Sequence, residues 1–172
     1  MELKGKVHKF GDNISTDDII AGKYKNRILS PDELATHIME NIDPKFYSKI
    51  KKGDFIVAGK NFGLGSSRET APLVILKSGI PCVIAKSFAR IFYRNSINIG
   101  LLLLISPNTD YIKNGDEIEI DIERSMIKDI TQNKDIAFDP VPEFMFKVIM
   151  EGGLVHHFKT HGGFFFGNEE KV

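Results

Sequence analysis

Three short runs of apolar residues constrain the fold of this chain more than any other feature. They cover Asp54 to Ala58, Pro81 to Ala85 and Leu101 to Ile105. Continuous apolar runs are typical of strands that are buried on both faces, as in parallel sheets. Helical patterns over residues 66–77 and 88–97 separate the three runs. This order of strand, helix, strand, helix and strand predicts a βαβ core with a mainly parallel sheet.

The flanking segments predict further elements around this core. Glu2 to Phe10 alternates loosely and predicts a strand, whereas Glu117 to Ile122 alternates strictly, as a half-exposed strand does. Met126 to Ile130 predicts a weaker strand that pairs with it. Pro142 to Lys159 predicts a final helix that is interrupted near Gly152-Gly153. The sequence therefore predicts an α/β fold with additional antiparallel strands.

The segment before the first apolar run predicts one loop and one helix. Ile14 to Arg27 has no clean period and is predicted to be a loop. Ser30-Pro31-Asp32-Glu33 has the features of a helix start, with Ser30 as N-cap and Glu33 completing a capping box. The buried stripe of the helix that follows is predicted to contain Leu34, Ile38 and Met39.

Composition limits the classes of partner that the chain can bind. Lys+Arg and Asp+Glu both number 23, so the formal net charge is zero. A neutral chain without a basic tract has no overall field to draw it to nucleic acid or to an anionic membrane. Its 172 residues, 42% of them hydrophobic, are typical of one globular domain with its own core. We expect this domain to span residues 1–159 and a C-terminal tail to span residues 160–172.

The metal-binding residue types are few. Cys82 is the only cysteine, so this chain can neither form an intrachain disulfide nor hold an iron–sulfur cluster, which takes several thiolates. We predict that Cys82 is a small buried apolar residue. A single cysteine and no secretory signal favour a cytoplasmic location. We interpret all five histidines as surface or hydrogen-bonded side chains and predict no metal site; they are His8, His37, His156, His157 and His161.

The sharpest local pattern is Gly63-Leu64-Gly65-Ser66-Ser67-Arg68-Glu69, between a predicted strand and a predicted helix. The first N–H groups of a helix are unpaired and carry partial positive charge. Glycines let a ligand approach the backbone, and an arginine can bind a carboxylate through two parallel hydrogen bonds. Ser66, Ser67 and Arg68 therefore form a candidate anion site for a carboxylate or phosphate. The alternative is that the serines only cap the helix.

This turn does not match three better-known motifs. Arg68 occupies the position where a dinucleotide-binding fingerprint needs its third glycine. The Gly-Lys-Ser/Thr of a phosphate loop is absent. A nucleophile elbow needs a glycine two residues after its serine, and Arg68 and Glu69 stand at those positions.

Two further motifs lie before and after this turn in the sequence. Ser15-Thr16-Asp17-Asp18-Ile19-Ile20 precedes it, and Ser87-Phe88-Ala89-Arg90-Ile91-Phe92-Tyr93-Arg94-Asn95 follows it. In this order and spacing, the three motifs resemble those of the small subunits of isopropylmalate isomerase and homoaconitase. These subunits correspond to the swivelling fourth domain of aconitase. The resemblance covers residues 2–155 and implies a swivelling β/β/α domain.

The resemblance also implies a reaction and a partner. The expected reaction is a reversible dehydration and rehydration of a hydroxy acid, with 2-isopropylmalate of leucine biosynthesis as the favoured substrate. Homoaconitate, citramalate and 2,3-dimethylmalate stay open as substrates, and a non-catalytic carboxylate-binding module stays open as another class. A 4Fe-4S cluster, which acts as Lewis acid, is expected in a larger partner subunit. We expect this chain to be inactive without that subunit.

By the same resemblance, site residues are carried over position by position. Ser66 matches the base that removes a proton beside a substrate carboxylate, and Ser67 and Arg68 match the positions that hold that carboxylate. Asp17 matches an active-site aspartate, with loop capping beside Thr16 as the alternative.

The resemblance also bears on a loop after residue 21, on residue 64 and on the helix that follows the turn. The loop from Gly22 to Arg27 matches the region that selects the substrate. Lys25, Asn26 and Arg27 would favour a polar or charged substituent if they point inward, and would leave an apolar pocket if they point to solvent. Leu64 replaces a cysteine that family members commonly have, which removes no assigned catalytic group. Folding or subunit contacts are the favoured roles of the next helix's polar residues, Arg90, Tyr93 and Arg94.

Overall fold

One seven-stranded sheet organises the chain, for which the computed structural model describes residues 2–24, 30–66 and 68–162. The strands are β1 (Glu2–Lys9), β2 (Phe55–Ala58), β3 (Cys82–Ala85), β4 (Leu102–Ile105), β5 (Glu117–Asp121), β6 (Met126–Asp129) and β7 (Lys134–Ala137). Their order in the sheet is β4-β3-β2-β1-β5-β6-β7. Strands β1 to β4 run parallel, and β5 to β7 are antiparallel to their neighbours. This topology confirms the predicted parallel βαβ core with additional antiparallel strands.

Helices connect the parallel strands and cover the sheet. The helices are α1 (Thr16–Ile19), α2 (Pro31–Ala35), α3 (Phe46–Lys49), α4 (Thr70–Lys77), α5 (Arg90–Ile99), α6 (Glu143–Met150) and α7 (Leu154–His161). Short 3₁₀ turns form at Gly22–Tyr24 and Thr109–Tyr111. Helix α4 links β2 to β3, and α5 links β3 to β4, as parallel strands require.

The sheet is buried on both faces, which explains its continuous apolar strands. On one face, Ile56 and Val83 lie in a cluster with Val74 of α4 and Phe92 of α5. On the other face, residues such as Ile84 lie in a second cluster that includes side chains of β5 and β6. Cys82 belongs to this second cluster, is fully buried as predicted, and has its thiol pKa raised by burial.

Helix α4 starts later than predicted, at Thr70 rather than Ser66. Pro72 explains the difference, because proline lacks an N–H group and its ring clashes with the preceding turn inside a helix. Starting at Thr70 places Pro72 in the first turn, where its missing N–H would be unpaired in any case. Ser66 is therefore in the approach to the helix rather than in its first turn.

The region before β2 also differs from the prediction. Part of the predicted loop forms α1, a single turn capped by Ser15. Helix α2 has the predicted Ser30 capping box, but it ends at Ala35. Ile38 and Met39 are buried as expected, although they follow this helix in a series of turns. Strand β7 was not predicted, because its sequence Lys-Asp-Ile-Ala contributes a single buried side chain.

The last helical segment is interrupted at Gly152-Gly153 as predicted, which separates α6 from α7. Helix α7 ends at His161, and the tail beyond residue 162 lies outside the described residues. The boundary at residue 159 stays a prediction. Among the described residues, every helix is too short or too polar to cross a lipid bilayer.

Gly153 should tolerate no side chain. It has φ +102° and ψ 173°, a region occupied essentially by glycine, and an added Cβ would lie 2.2 Å from the carbonyl oxygen of Asn98. We expect Gly153→Ala to lower the free energy of unfolding by about 2–4 kcal/mol, measured by urea denaturation. Gly162→Ala is the control: its φ is +68°, no atom of the described residues lies within 4 Å of the added Cβ, and the expected loss is about 1 kcal/mol. Equal losses in the two variants would contradict this account of the turn.

Candidate active site

Backbone hydrogen bonds bring the three sequence motifs together at one edge of the sheet. The N–H of Gly63 donates to the carbonyl of Ile14 at 2.7 Å, and the N–H of Thr16 donates to the carbonyl of Leu64 at 2.8 Å. On the other side, the N–H of Phe62 donates to the carbonyl of Ser87 at 3.0 Å, and the carbonyl of Phe62 accepts from the N–H of Ala89 at 2.9 Å. We call residues 62–64, with these bonds on both sides, the central seam. It continues the parallel strand order past the carboxyl ends of β1, β2 and β3, where ligands bind in open α/β sheets.

An aromatic cluster packs against the central seam. The rings of Phe62 and Phe92 meet edge to face with their centroids 5.4 Å apart, and Phe88 stacks on Phe92 at 6.4 Å. Gly63 has φ +81°, and an added Cβ would lie 2.2 Å from the ring of Phe92. The turn that leads to Ser66 therefore rests directly on a buried ring, which only glycine permits at this position.

Helix α1 sits against the same turn. Ser15 forms a full capping box with Asp18, since the Ser15 side chain accepts from the Asp18 N–H at 3.0 Å and the Asp18 carboxylate accepts from the Ser15 N–H at 2.8 Å. The buried hydroxyl of Thr16 donates to the carbonyl of Ser66 at 3.3 Å. The spacing Ser-x-x-Asp could have revealed the capping box, but the contact between Thr16 and Ser66 spans 50 residues and has no local signal.

Arg68 and Asp17, which are 51 positions apart, form the central ion pair. The Nη1 atom of Arg68 donates to Asp17 Oδ1 at 2.7 Å and to the carbonyl of Ile20 at 3.3 Å. The Arg68 side chain is 19% exposed and the Asp17 side chain is 55% exposed. Arg68 donates to the described residues only through Nη1, so its Nε and Nη2 have no partner among them.

A cleft of about 430 Å³ opens beside this turn. Its walls include Asn61, Gly63 and Gly65 on one side and Arg90, Ile91 and Arg94 of α5 on the other. Both arginines are exposed, and neither has an ion-pair partner in the described part of the chain. Helix α5 is amphipathic, but its apolar residue Ile91 is 48% exposed. The cleft is thus lined by cationic groups and one exposed apolar side chain.

The structure places some of the predicted site residues and leaves others undescribed. Ser66 is exposed next to the cleft-lining Gly65, and Arg68 and Asp17 are in contact. Ser67 and the loop residues Lys25, Asn26 and Arg27 lie outside the described residues.

The start of that loop is held by a polar cluster that the sequence did not reveal. Glu40 accepts from Tyr24 Oη at 2.7 Å and from Lys23 Nζ at 2.5 Å. His37 Nδ1 lies 2.6 Å from the same carboxylate, and its ring stacks on Tyr24 with centroids 4.1 Å apart. The hydrogen bond from Lys23, followed by that from Tyr24, lowers the pKa of Glu40 to about 2. We call these four residues the Glu40 cluster.

Comparison with known proteins identifies relatives over nearly the whole chain. Residues 3–109 match the family model of the aconitase C-terminal domain. The chain is 49% identical to the 3-isopropylmalate dehydratase small subunit 1 of Thermotoga maritima over 162 residues, which cover 94% of this chain and 98% of that protein. It is 56% identical to the small subunit of Halothermothrix orenii, over 92% of this chain and 96% of that protein.

A solved structure agrees with these relatives. The crystal structure of a 3-isopropylmalate dehydratase from Methanocaldococcus jannaschii superimposes with a TM-score of 0.90 at 50% identity. The match covers 94% of this chain and 96% of that one.

The Glu40 cluster predicts a specific pH dependence. Since the pKa of Glu40 is lowered on folding, its stabilising effect is complete above its unfolded value of about 4.3 and is lost as the pH falls towards 2. We expect Glu40→Gln to lower the free energy of unfolding by about 1–2 kcal/mol at pH 7, with a smaller difference from wild type at pH 3. Urea denaturation at both pH values measures this. Glu119→Gln, at a half-exposed position in the middle of β5, is the control, and a difference that is constant with pH would contradict the prediction.

Proposed function

This chain belongs to the aconitase C-terminal domain family, and we propose that it is the small subunit of a two-subunit hydro-lyase that interconverts 2- and 3-isopropylmalate in leucine biosynthesis. The relatives carry the name of that small subunit over nearly the full length of this chain. The observation that carries the proposal for the site is the Arg68–Asp17 ion pair beside the exposed Ser66. The three residues come from two distant segments that the central seam brings together.

Binding of a substrate carboxylate is the task of Arg68. Asp17 and the carbonyl of Ile20 hold its Nη1, which fixes the plane of the guanidinium group. Its remaining donors can then bind both oxygens of a carboxylate in the parallel geometry that arginine favours. Because the pair is half-exposed rather than sealed in the core, a substrate can reach it without unfolding the site.

Ser66 is proposed as the base that removes the proton next to that carboxylate. An unassisted serine is too weak a base, so it needs positive charge close to its oxygen. Arg68 follows two residues later, and the cationic residues of the cleft wall add to the field. Thr16 holds the Ser66 carbonyl, which fixes the backbone while leaving the Ser66 side chain exposed. Negative charge that develops on the substrate carboxylate would be stabilised by Arg68.

A 4Fe-4S cluster does not fit this chain. Its single cysteine is fully buried in β3, and burial raises the pKa of the thiol, so Cys82 cannot supply the several thiolates that a cluster takes. We therefore assign the cluster, which would act as Lewis acid on the leaving hydroxyl, to the large subunit. We place that subunit on the open cleft, where Arg90 and Arg94 have no ion-pair partner among the described residues and Ile91 is exposed.

The choice among hydroxy acids rests on the loop that contains Lys25, Asn26 and Arg27. Homoaconitate, citramalate and 2,3-dimethylmalate differ from isopropylmalate in the substituents that branch from the two carbons between the shared carboxylates. Reconstitution with the large subunit and parallel assays of the four substrates would identify the preferred one. The cytoplasmic location expected from the sequence also stays a prediction.

Replacement of Ser66 separates an enzyme from a carboxylate-binding module. We expect Ser66→Ala to lower kcat of the reconstituted complex about 10²- to 10⁴-fold with little change in KM, because only the proton transfer is lost. Gel filtration should show normal assembly with the large subunit. Ser48→Ala, at an exposed serine of α3 that bonds the Lys45 carbonyl, is the control and should keep full activity. Full turnover by Ser66→Ala, or by this chain without its partner, would refute the proposed role.

Arg68→Lys tests the carboxylate site separately. Lysine keeps the charge but loses the planar fork, so we expect KM to rise about 10- to 100-fold, with a smaller effect on kcat. Arg124→Lys, at an exposed arginine between β5 and β6, is the matched control and should leave both constants unchanged. Steady-state kinetics with 2-isopropylmalate gives both constants. A KM that stays at the wild-type value in Arg68→Lys would place the carboxylate elsewhere.

A further inference from the structure

Three side chains with metal-binding atoms converge where α6 gives way to α7. Glu151 is the C-cap of α6, and His157 and His161 lie one turn apart on α7. The Glu151 carboxylate lies 2.5 Å from His157 Nδ1 and 3.1 Å from His161 Nε2. None of the three ligand atoms is more than 4.8 Å from another. His157 is hydrogen-bonded through Nδ1, as predicted, but its side chain is completely buried and its Nε2 has no partner among the described residues.

The fold positions these groups before any ion binds. His157 and His161 are four residues apart, so they share one face of α7. The turn at Gly152-Gly153 brings Glu151 over that face and packs against Asn98 and Gly100 at the end of α5. The ring of Phe144 meets the His157 ring edge to face, with centroids 5.8 Å apart. His157 is thus held in place by the core, and its ring makes its hydrogen bond through Nδ1, within the cluster.

The donor set is that of an open zinc site. Two imidazole nitrogens and one carboxylate oxygen are a known combination of protein ligands, with water in the fourth position. Tetrahedral coordination at the usual bond lengths separates the ligand atoms by about 3.4 Å, which falls within the range found here. His161 and Glu151 are 30% and 27% exposed, so an ion and its water can enter from solvent.

We infer that Glu151, His157 and His161 bind one divalent transition-metal ion, with Zn²⁺ as the best match. The ion would tie the end of α6 to α7 and hold both against the end of α5. Arg90, which lines the cleft, begins the same helix α5, whose ten residues span about 15 Å. The ion would therefore stabilise the helical layer of this chain and take no part in the proton transfer assigned to Ser66.

Titration of the purified, metal-stripped chain with ZnCl₂ tests this inference without partner or turnover. Isothermal titration calorimetry should show one ion per chain, and thermal unfolding should shift upward by several degrees in Zn²⁺ but not in Mg²⁺, because magnesium prefers oxygen ligands. His161→Ala and Glu151→Gln should each weaken Zn²⁺ binding by about 100-fold. Both positions are partly exposed, so these variants should fold.

His156→Ala provides the matched control. His156 is the exposed neighbour of His157 on the same helix, and it is not one of the three ligands. This variant should bind Zn²⁺ with wild-type affinity. The inference is overturned if the wild-type chain does not bind Zn²⁺, or if His156→Ala weakens binding as much as His161→Ala.

Discussion

The central seam is the interaction on which the arrangement of the candidate active site depends. Residues 62–64 follow β2 and bond to the segment after β1 on one side and to the segment after β3 on the other. These bonds join main-chain atoms, so they position three chain segments without using any side chain needed for chemistry. Because parallel strands end at the same edge, the sheet order itself determines which segments meet. The contact of Asp17 with Arg68 is a consequence of this order.

The site that results is organised but open. The turn packs on the aromatic cluster through Gly63, and Thr16 of α1 holds it by a hydrogen bond. The cleft beside the turn is lined by exposed arginines and an exposed isoleucine, so this side of the site is open to solvent. Charged groups act most strongly on a reaction when water is excluded from them. A partner that covers the cleft would therefore strengthen the field around Ser66, which gives a physical reason for dividing such a site between two subunits.

The sequence predicted the sheet well and the helix boundaries less well. Strands β2, β3 and β4 were evident because burial on both faces leaves a continuous apolar run. The helical pattern places the start of α4 four residues too early, because apolar periodicity does not register the limit that Pro72 sets on where the helix can begin. The Arg68–Asp17 pair and the hydrogen bond from Thr16 to Ser66 join residues 50 or more positions apart, so no local pattern could predict them. His157 and His161 have helical spacing, but the proposed metal site also needs Glu151. The turn at Gly152-Gly153 brings Glu151 next to them, and no local pattern predicts this contact.

The loop proposed to select the substrate and the residues proposed to carry out catalysis are held by different parts of the fold. The loop that contains Lys25, Asn26 and Arg27 is flanked by two anchored residues: Tyr24, buried in the Glu40 cluster, and Ser30, the N-cap of α2. Neither anchor belongs to the central seam. Under the proposed assignment, substitutions between the two anchors would change what the loop presents to a substrate while Ser66, Arg68 and Asp17 keep their positions. For the alternative substrates proposed above, this arrangement would let the loop change while the residues proposed to bind the carboxylate and remove the proton stay in place.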